Sequence, residues 1–189
     1  MKVIEFLGMP RAGKTTAIEI MESYFKHEGK RVRVVYEGAR VSPLDKSDRY
    51  NYNAWSFHNT VNRILEARLD HYDFILVDRG ILDHFSFLEA ITKHKDATSA
   101  KEYYLSFLNL QDKEIFFSIN PEEAIKREKK HKPFLGRVFN KLFLEQLLFS
   151  YNRTIDFARS NLCRKLIHID GTKKFEDNYQ EVIRIAQTF

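Results

Sequence analysis

The chain has 189 residues, of which 43% are hydrophobic and 30% are charged, and its formal net charge is +5. This length fits one globular domain with a full core. The single cysteine, Cys163, excludes an internal disulfide, and no apolar run approaches the roughly 20 residues of a membrane-spanning helix. We therefore expect a cytoplasmic protein with no membrane partner, whose positive charge favours acidic ligands such as phosphates.

The hydrophobic pattern predicts strands that alternate with helices along the chain. Predicted strands cover residues 2–7, 31–36, 74–77, 115–119 and 166–169. Predicted helices cover residues 15–26, 55–69, 81–94, 100–110, 120–132, 139–161 and 175–187. The third strand is apolar at every position, which indicates a parallel sheet covered on both faces. The alternation predicts one three-layer α/β domain over residues 1–189.

The segment after the first predicted strand has the pattern of a phosphate-binding loop. Gly8, Gly13, Lys14 and Thr15 match G-x-x-x-x-G-K-[ST]. The glycines allow the backbone to cradle phosphate oxygens, Lys14 supplies a point charge, and Thr15 offers a hydroxyl to magnesium. The sequence therefore predicts that loop 8–16 binds ATP and Mg²⁺, with further contacts from Pro10, Arg11, Ala12 and Thr16.

Acidic residues follow the second and third predicted strands, at the edge of the sheet where ligands of such folds bind. Asp78 is the candidate carboxylate for magnesium, directly or through water. Arg79 follows it and either grips a phosphate or forms a salt bridge at a turn. Glu37 is the candidate base for an acceptor hydroxyl, with a surface acid as the alternative.

Residues 40–59 are expected to line the acceptor pocket. Trp55 and Phe57 either stack against a base or pack on the face of a helix, and the pattern fits both interpretations. Arg40, together with Arg79, suits an acceptor that already carries a phosphate group.

In their order along the chain, these segments resemble the deoxynucleoside kinase and thymidylate kinase superfamily. The resemblance lies in the phosphate loop, in Val35-Tyr36-Glu37-Gly38, in Val77-Asp78-Arg79-Gly80, and in residues 118–127 and 166–177. It implies a P-loop kinase fold with five parallel strands in the order 2-3-1-4-5 and a short helical lid at about 127–139. It also implies ATP-dependent phosphoryl transfer to a nucleoside or nucleoside monophosphate.

The resemblance extends to individual residues. It implies that Arg127 packs on the adenine, that Gly171 belongs to the adenine-side loop, and that Asp83 stands close to the position where that family has a further acid. The expected catalytic set is Lys14, Glu37, Asp78, Arg79 and Arg127. The expected acceptor-binding set is Glu37, Arg40, Trp55, Phe57, Arg79 and Asp83. Several features depart from the family pattern: Gly80 stands where a hydroxyl residue or tyrosine is common, the predicted lid is rich in lysine, and the second-strand ending lacks both the Arg-Glu-Pro-Gly and the Glu-Pro-Val forms.

Two alternative functions remain open at this point. One is an ATP-binding regulatory module or ATPase without a small acceptor. The other is a polynucleotide 5'-kinase that would use the basic run at residues 126–132. A small nucleoside or nucleotide is the expected partner rather than nucleic acid, and a homodimer is one open alternative for the assembly.

Overall fold

The fold is a five-stranded parallel sheet with helices on both faces, seen in a computed structural model that describes residues 1–38, 41–92, 98–131, 140–161 and 166–189. The strands are β1 (Lys2–Gly8), β2 (Val32–Val35), β3 (Phe74–Asp78), β4 (Lys113–Ser118) and β5 (Ile167–Asp170). Their spatial order is β2-β3-β1-β4-β5, which confirms the predicted topology.

Strand β1 occupies the centre of the sheet, because it pairs with β3 on one side and β4 on the other. Phe6 lies opposite Asp78, and Gly8 lies opposite Phe117. All strands run in the same direction, so their carboxyl ends meet at one edge. The phosphate loop, Glu37 and Asp78 therefore arrive at the same edge of the sheet.

The helices fill the connections between the strands. The described α-helices are α1 (Lys14–His27), α2 (Arg49–Leu69), α3 (Ile81–Thr92), α4 (Thr98–Leu105), α5 (Pro121–His131), α6 (Lys141–Asn161) and α7 (Phe175–Ala186), with a 3₁₀ turn at Leu108–Leu110. Among these described helices, none has the length and apolar character needed to cross a membrane.

Two helices show how local residues fix their ends. Asn120 caps α5, because its side-chain oxygen accepts a hydrogen bond from the Glu123 backbone at 2.8 Å. Helix α2 begins earlier than predicted, because Asp48 accepts a hydrogen bond from the Asn51 backbone at 3.2 Å. The hydrophobic pattern did not predict this start, because the first turn of α2 is polar.

The predicted helix over 100–110 is divided in the structure. Helix α4 ends at Leu105, and the chain then makes a turn before the short 3₁₀ segment. The side-chain hydroxyl of Ser106 donates to the Tyr103 carbonyl at 2.6 Å, which offers the backbone a local alternative to continuing the helix.

Candidate active site

The phosphate loop depends on a close approach between Gly8 and strand β4. Gly8 has φ 129°, and a Cβ atom there would lie 2.1 Å from the carbonyl oxygen of Phe117. Gly13 also has a positive φ, 103°, immediately before α1 begins at Lys14. Both predicted glycines of the loop therefore occupy backbone conformations that a side chain would strain.

Lys14 lies folded back over the loop that contains it. Its Nζ donates to the carbonyl oxygens of Gly8 at 2.8 Å and of Met9 at 2.9 Å. Burial of the ammonium group lowers the pKa of Lys14 to about 8, and the nearby Arg79 charge acts in the same direction. A bound anion would place negative charge beside this buried ammonium group and stabilise its protonated form, so the site suits a negatively charged ligand.

Thr15 and Asp78 face each other beside the loop. The Thr15 hydroxyl lies 3.4 Å from an oxygen of Asp78, and burial raises the pKa of this carboxyl. In an octahedral magnesium site with bonds of about 2.05 Å, neighbouring oxygens are about 2.9 Å apart and opposite ones about 4.1 Å. A hydroxyl and a carboxylate are oxygen ligands of the kind that magnesium prefers, and at 3.4 Å these two lie somewhat further apart than neighbouring ligands of one ion, so a small shift would let both contact it.

Arg79 lies between two carboxylates at the carboxyl end of β3. Its Nε is 3.2 Å from Glu37, and its Nη1 is 2.9 Å from Asp83. Arg79 also has φ 64°, the left-handed conformation that non-glycine residues rarely adopt. The turn after β3 thus holds the guanidinium in one place, where it forms the salt bridge that the sequence left as an alternative.

Asp83 lies beneath the phosphate loop, not in the cleft, which corrects its expected place in the acceptor site. It is 1% exposed and accepts hydrogen bonds from the Gly8 backbone at 3.0 Å and from the Tyr151 hydroxyl at 2.8 Å. Burial alone would raise the pKa of Asp83, but the charges of Arg79 and Lys14 bring it below its usual value. The Asp83 carboxylate therefore connects the phosphate loop, Tyr151 and Arg79.

A cleft of about 660 Å³ opens above the loop and brings the predicted residues together. It is lined by the predicted residues Pro10, Arg11, Ala12, Gly13, Lys14, Thr15, Thr16, Glu37, Asp78, Arg79, Arg127 and Gly171. Gly171 packs closely at its floor, since a Cβ atom there would lie 2.5 Å from the Ala12 carbonyl oxygen.

Arg127 joins α5 to the phosphate loop. Its Nε contacts Glu123 at 2.9 Å, and its Nη1 donates to the Arg11 carbonyl at 3.2 Å. The side chain of Arg11 pairs in turn with Glu128, which is 2% exposed. Of the predicted lid at 127–139, residues 127–131 continue α5, and the remainder lies outside the described residues.

Helix α7 adds two aromatic side chains to the cleft that the sequence did not single out. Phe175 and Tyr179 lie one helical turn apart, line the cleft, and are 60% and 39% exposed. The signal that could have found them is an aromatic pair at i and i+4 outside the apolar face of an amphipathic helix. Rings exposed at a cleft offer a surface on which a base can stack.

The acceptor side departs from prediction at Phe57. This ring is fully buried and stacks on Tyr104 with centroids 3.8 Å apart, so it belongs to the packing of α2 against α4. Trp55 is half-buried on α2 and does not line the cleft, and Arg40 lies outside the described residues. Tyr52 lies near Glu37. Burial raises the pKa of the Tyr52 hydroxyl to about 12, and the negative charge of Glu37 adds to this effect.

Comparisons with known proteins agree with this architecture. No protein-family model matches the chain, and a search of curated proteins found no match. Among solved structures, deoxyadenosine kinase from M. mycoides with bound dATP aligns with TM-score 0.70 and 16% identity, over 98% of this chain and 99% of that chain. The same enzyme with the products dCMP and a flexible dCDP aligns with TM-score 0.70 and 15% identity, over 99% and 100%. The chain therefore has the P-loop kinase fold of deoxyadenosine kinase.

Proposed function

We propose that the protein transfers the γ-phosphoryl group of ATP to a hydroxyl of a nucleoside or nucleoside monophosphate. The observation that carries this proposal is the convergence of the five expected catalytic residues on one cleft at the carboxyl edge of the sheet. Phosphoryl transfer needs positioning and charge stabilisation more than covalent chemistry. This cleft supplies cations at one end and a carboxylate base at the other.

Lys14 and the first turn of α1 form the phosphate end. Lys14 now bonds to two loop carbonyls, and in the proposed reaction it exchanges them for phosphate oxygens. Thr15 and Asp78 would hold Mg²⁺, which when bound offsets the negative charge of the phosphates. Arg127 stands at the entrance on α5, where a guanidinium can pack on the adenine ring.

Glu37 forms the acceptor end. Its carboxylate is partly open to the cleft, with 31% of the side chain exposed, and it lies 3.2 Å from Arg79. In the proposed reaction Glu37 accepts the proton of the attacking hydroxyl, while Arg79 keeps the carboxylate in position. A carboxylate held in this way can act as a general base without moving.

Within this proposal the charges favour a nucleoside over a monophosphate. The positive charge of Arg79 is already matched by Glu37 and Asp83, so a phosphate group beside it would meet two carboxylates. A neutral sugar hydroxyl meets no such repulsion. The shared fold with deoxyadenosine kinase supports the same acceptor class.

The experiment is a screen of phosphoryl transfer with purified protein, Mg²⁺ and ATP. Each nucleoside and deoxynucleoside is compared with its monophosphate, and products are separated chromatographically. We expect a nucleoside to be phosphorylated at a higher kcat/KM than its monophosphate. ATP consumption that yields only inorganic phosphate with every acceptor would contradict the proposal.

Two variants assign the base. Glu37→Gln should retain ATP binding and lose transfer by on the order of 100-fold or more, because amides are poor proton acceptors. The matched control is His58→Gln, since His58 is exposed on α2 and bonds to the Ala54 carbonyl at 2.7 Å. Equal losses in both variants would remove the base assignment from Glu37.

A further inference from the structure

A carboxylate lies in the middle of the central strand, where an apolar residue is expected. Glu5 of β1 is fully buried, and its register partners are Val77 in β3 and Glu114 in β4. Strand β1 is otherwise buried and apolar on both faces from Val3 to Leu7. Burying a carboxyl group costs free energy unless it is hydrogen-bonded, so its partners indicate why it is there.

Both oxygens of Glu5 bond to the first turn of α3. One accepts a hydrogen bond from the Asp83 backbone at 2.8 Å, and the other accepts one from the Leu82 backbone at 3.2 Å. Helix α3 begins at Ile81, so these two N–H groups have no partner within the helix. Glu5 therefore acts as a cap for α3 from a distant strand and places a carboxyl group at the positive end of the helix.

The same turn holds the two halves of the cleft together. The side chain of Asp83 accepts a hydrogen bond from the Gly8 backbone at 3.0 Å and contacts Arg79 at 2.9 Å. Between Arg79 and α3 stands Gly80, where a Cβ atom would lie 2.1 Å from Nε2 of Gln111 and 2.7 Å from the carboxyl carbon of Glu5. The turn that carries Arg79 thus packs against the side chains of Glu5 and Gln111, which together leave no room for a side chain at position 80.

We propose that Glu5 is a positioning residue of the phosphotransferase, which fixes the first turn of α3 and, through Asp83, sets the place of Arg79 in the cleft. This inference rests on the proposed function for its kinetic consequence. It assigns no contact between Glu5 and the substrates.

The charge of Glu5 decides whether this cap is complete. The groups that face it are acidic, Asp83 from α3 and Glu114 from β4. Burial, reinforced by these two charges, raises the pKa of Glu5 to about 8. When Glu5 is protonated, the oxygen that carries the hydrogen is a much weaker acceptor than a carboxylate oxygen, so one of the two bonds to the helix is weakened. Glutamine reproduces this half-complete cap at every pH.

The test compares Glu5→Gln with Glu5→Met, an apolar side chain of similar length. In Glu5→Met neither helix N–H is capped, and we expect kcat to fall by on the order of 10- to 100-fold at pH 7 and pH 9. The Kd for ATP should change less than about threefold, because loop residues bind it. If the complete cap is worth about tenfold, the kcat ratio of wild type to Glu5→Gln rises about fivefold from pH 7 to pH 9. Titration of Lys14 is common to both proteins and cancels in this ratio.

A destabilised control separates positioning from general loss of structure. Phe25→Leu removes a ring that stacks on Phe74 at 3.8 Å, at the end of the sheet away from the cleft. It should lower Tm and leave kcat within about twofold of wild type. An unchanged kcat in Glu5→Met, a pH-independent ratio, or an equal kcat loss in Phe25→Leu would each overturn the proposal.

Hydrogen exchange provides a readout without substrates. The backbone amides of Leu82, Asp83 and Gly8 should exchange faster in ligand-free Glu5→Met than in wild type, while Phe25→Leu leaves their relative protection unchanged. If the wild type phosphorylates no acceptor, the proposed function fails, and this exchange measurement still decides the role of Glu5. Unchanged exchange at these amides would overturn that role.

Discussion

Glu5 is expected to make the protein less stable as the pH rises from 6.5 to 8. Its pKa in the folded chain is about 8, against 4.5 for an ordinary glutamate. Between these values the folded state holds a proton that the unfolded state has released, so the free energy of unfolding falls as the pH rises. The expected slope is about 1.4 kcal/mol per pH unit, and it ends once the pH passes the folded pKa.

The window from pH 6.5 to pH 8 isolates this group. Burial lowers the pKa of His84 from 6.5 to about 4, so its opposite contribution is confined to lower pH. Lys14 has a folded pKa of about 8 and an ordinary value of 10.5, so it acts mostly at higher pH and, like His84, opposes Glu5 only at the edge of the window. Because the slope halves near the folded pKa, Glu5 should remove about 1.6 kcal/mol of stability between pH 6.5 and pH 8, measured relative to Glu5→Gln.

The assay is urea unfolding of wild type and Glu5→Gln at several pH values in this window. A loss of about 1.6 kcal/mol lowers the wild-type midpoint relative to that of Glu5→Gln by about 0.8 M urea, given ordinary slopes for a domain of this size. Glu5→Gln should show no such shift, and any contribution from Asp78 is common to both proteins. Glu114→Gln should end the sloping region at lower pH, because it removes a charge that raises the pKa of Glu5. Parallel pH profiles for wild type and Glu5→Gln would refute the reasoning.

Three further substitutions test the site. Lys14→Met should raise the Kd for magnesium-ATP on the order of 100-fold, about 2.7 kcal/mol, in isothermal titration; unchanged affinity would remove the phosphate loop from ATP binding. Gly8→Ala should destabilise by about 3 kcal/mol in urea unfolding, because its Cβ atom would collide with the Phe117 carbonyl; wild-type stability would contradict the loop geometry. Phe57→Ala should cost about 3 to 5 kcal/mol and leave the KM of the acceptor unchanged, because its ring packs on Tyr104; a raised KM would return it to the acceptor site.

The phosphate loop could be predicted because its determinants are local. Gly8, Gly13, Lys14 and Thr15 lie within eight consecutive positions, and the glycines have the positive φ angles that the motif requires. The sheet order followed from the alternation of strands and helices together with the family resemblance, and the structure confirms it.

The places of Phe57, Asp83 and Glu5 could not be predicted because they depend on contacts between distant segments. Phe57 is buried because Tyr104 of α4 stacks on it, and neither residue reveals the other in the sequence. Asp83 is drawn beneath the loop by Gly8, which is 75 positions away. From the sequence alone, Glu5 is an unexplained charged residue in an apolar strand, because its partner, the first turn of α3, is distant in the chain. Hydrophobic periodicity records which positions are buried and carries no information about such pairings.

In the proposed reaction the cleft has two ends that share one support. Lys14 and the start of α1 would face the phosphates, whereas Glu37 pairs with Arg79 at the end that would receive the acceptor. Beneath the cleft, Asp83 bonds to the Gly8 backbone and to Arg79, so under this proposal one buried carboxylate sets the spacing between phosphate and acceptor. Glu5 costs stability when ionised, yet it caps the turn of α3 that contains Asp83. If Glu5 is the positioning residue that we propose, its cost in stability accompanies the spacing that it fixes.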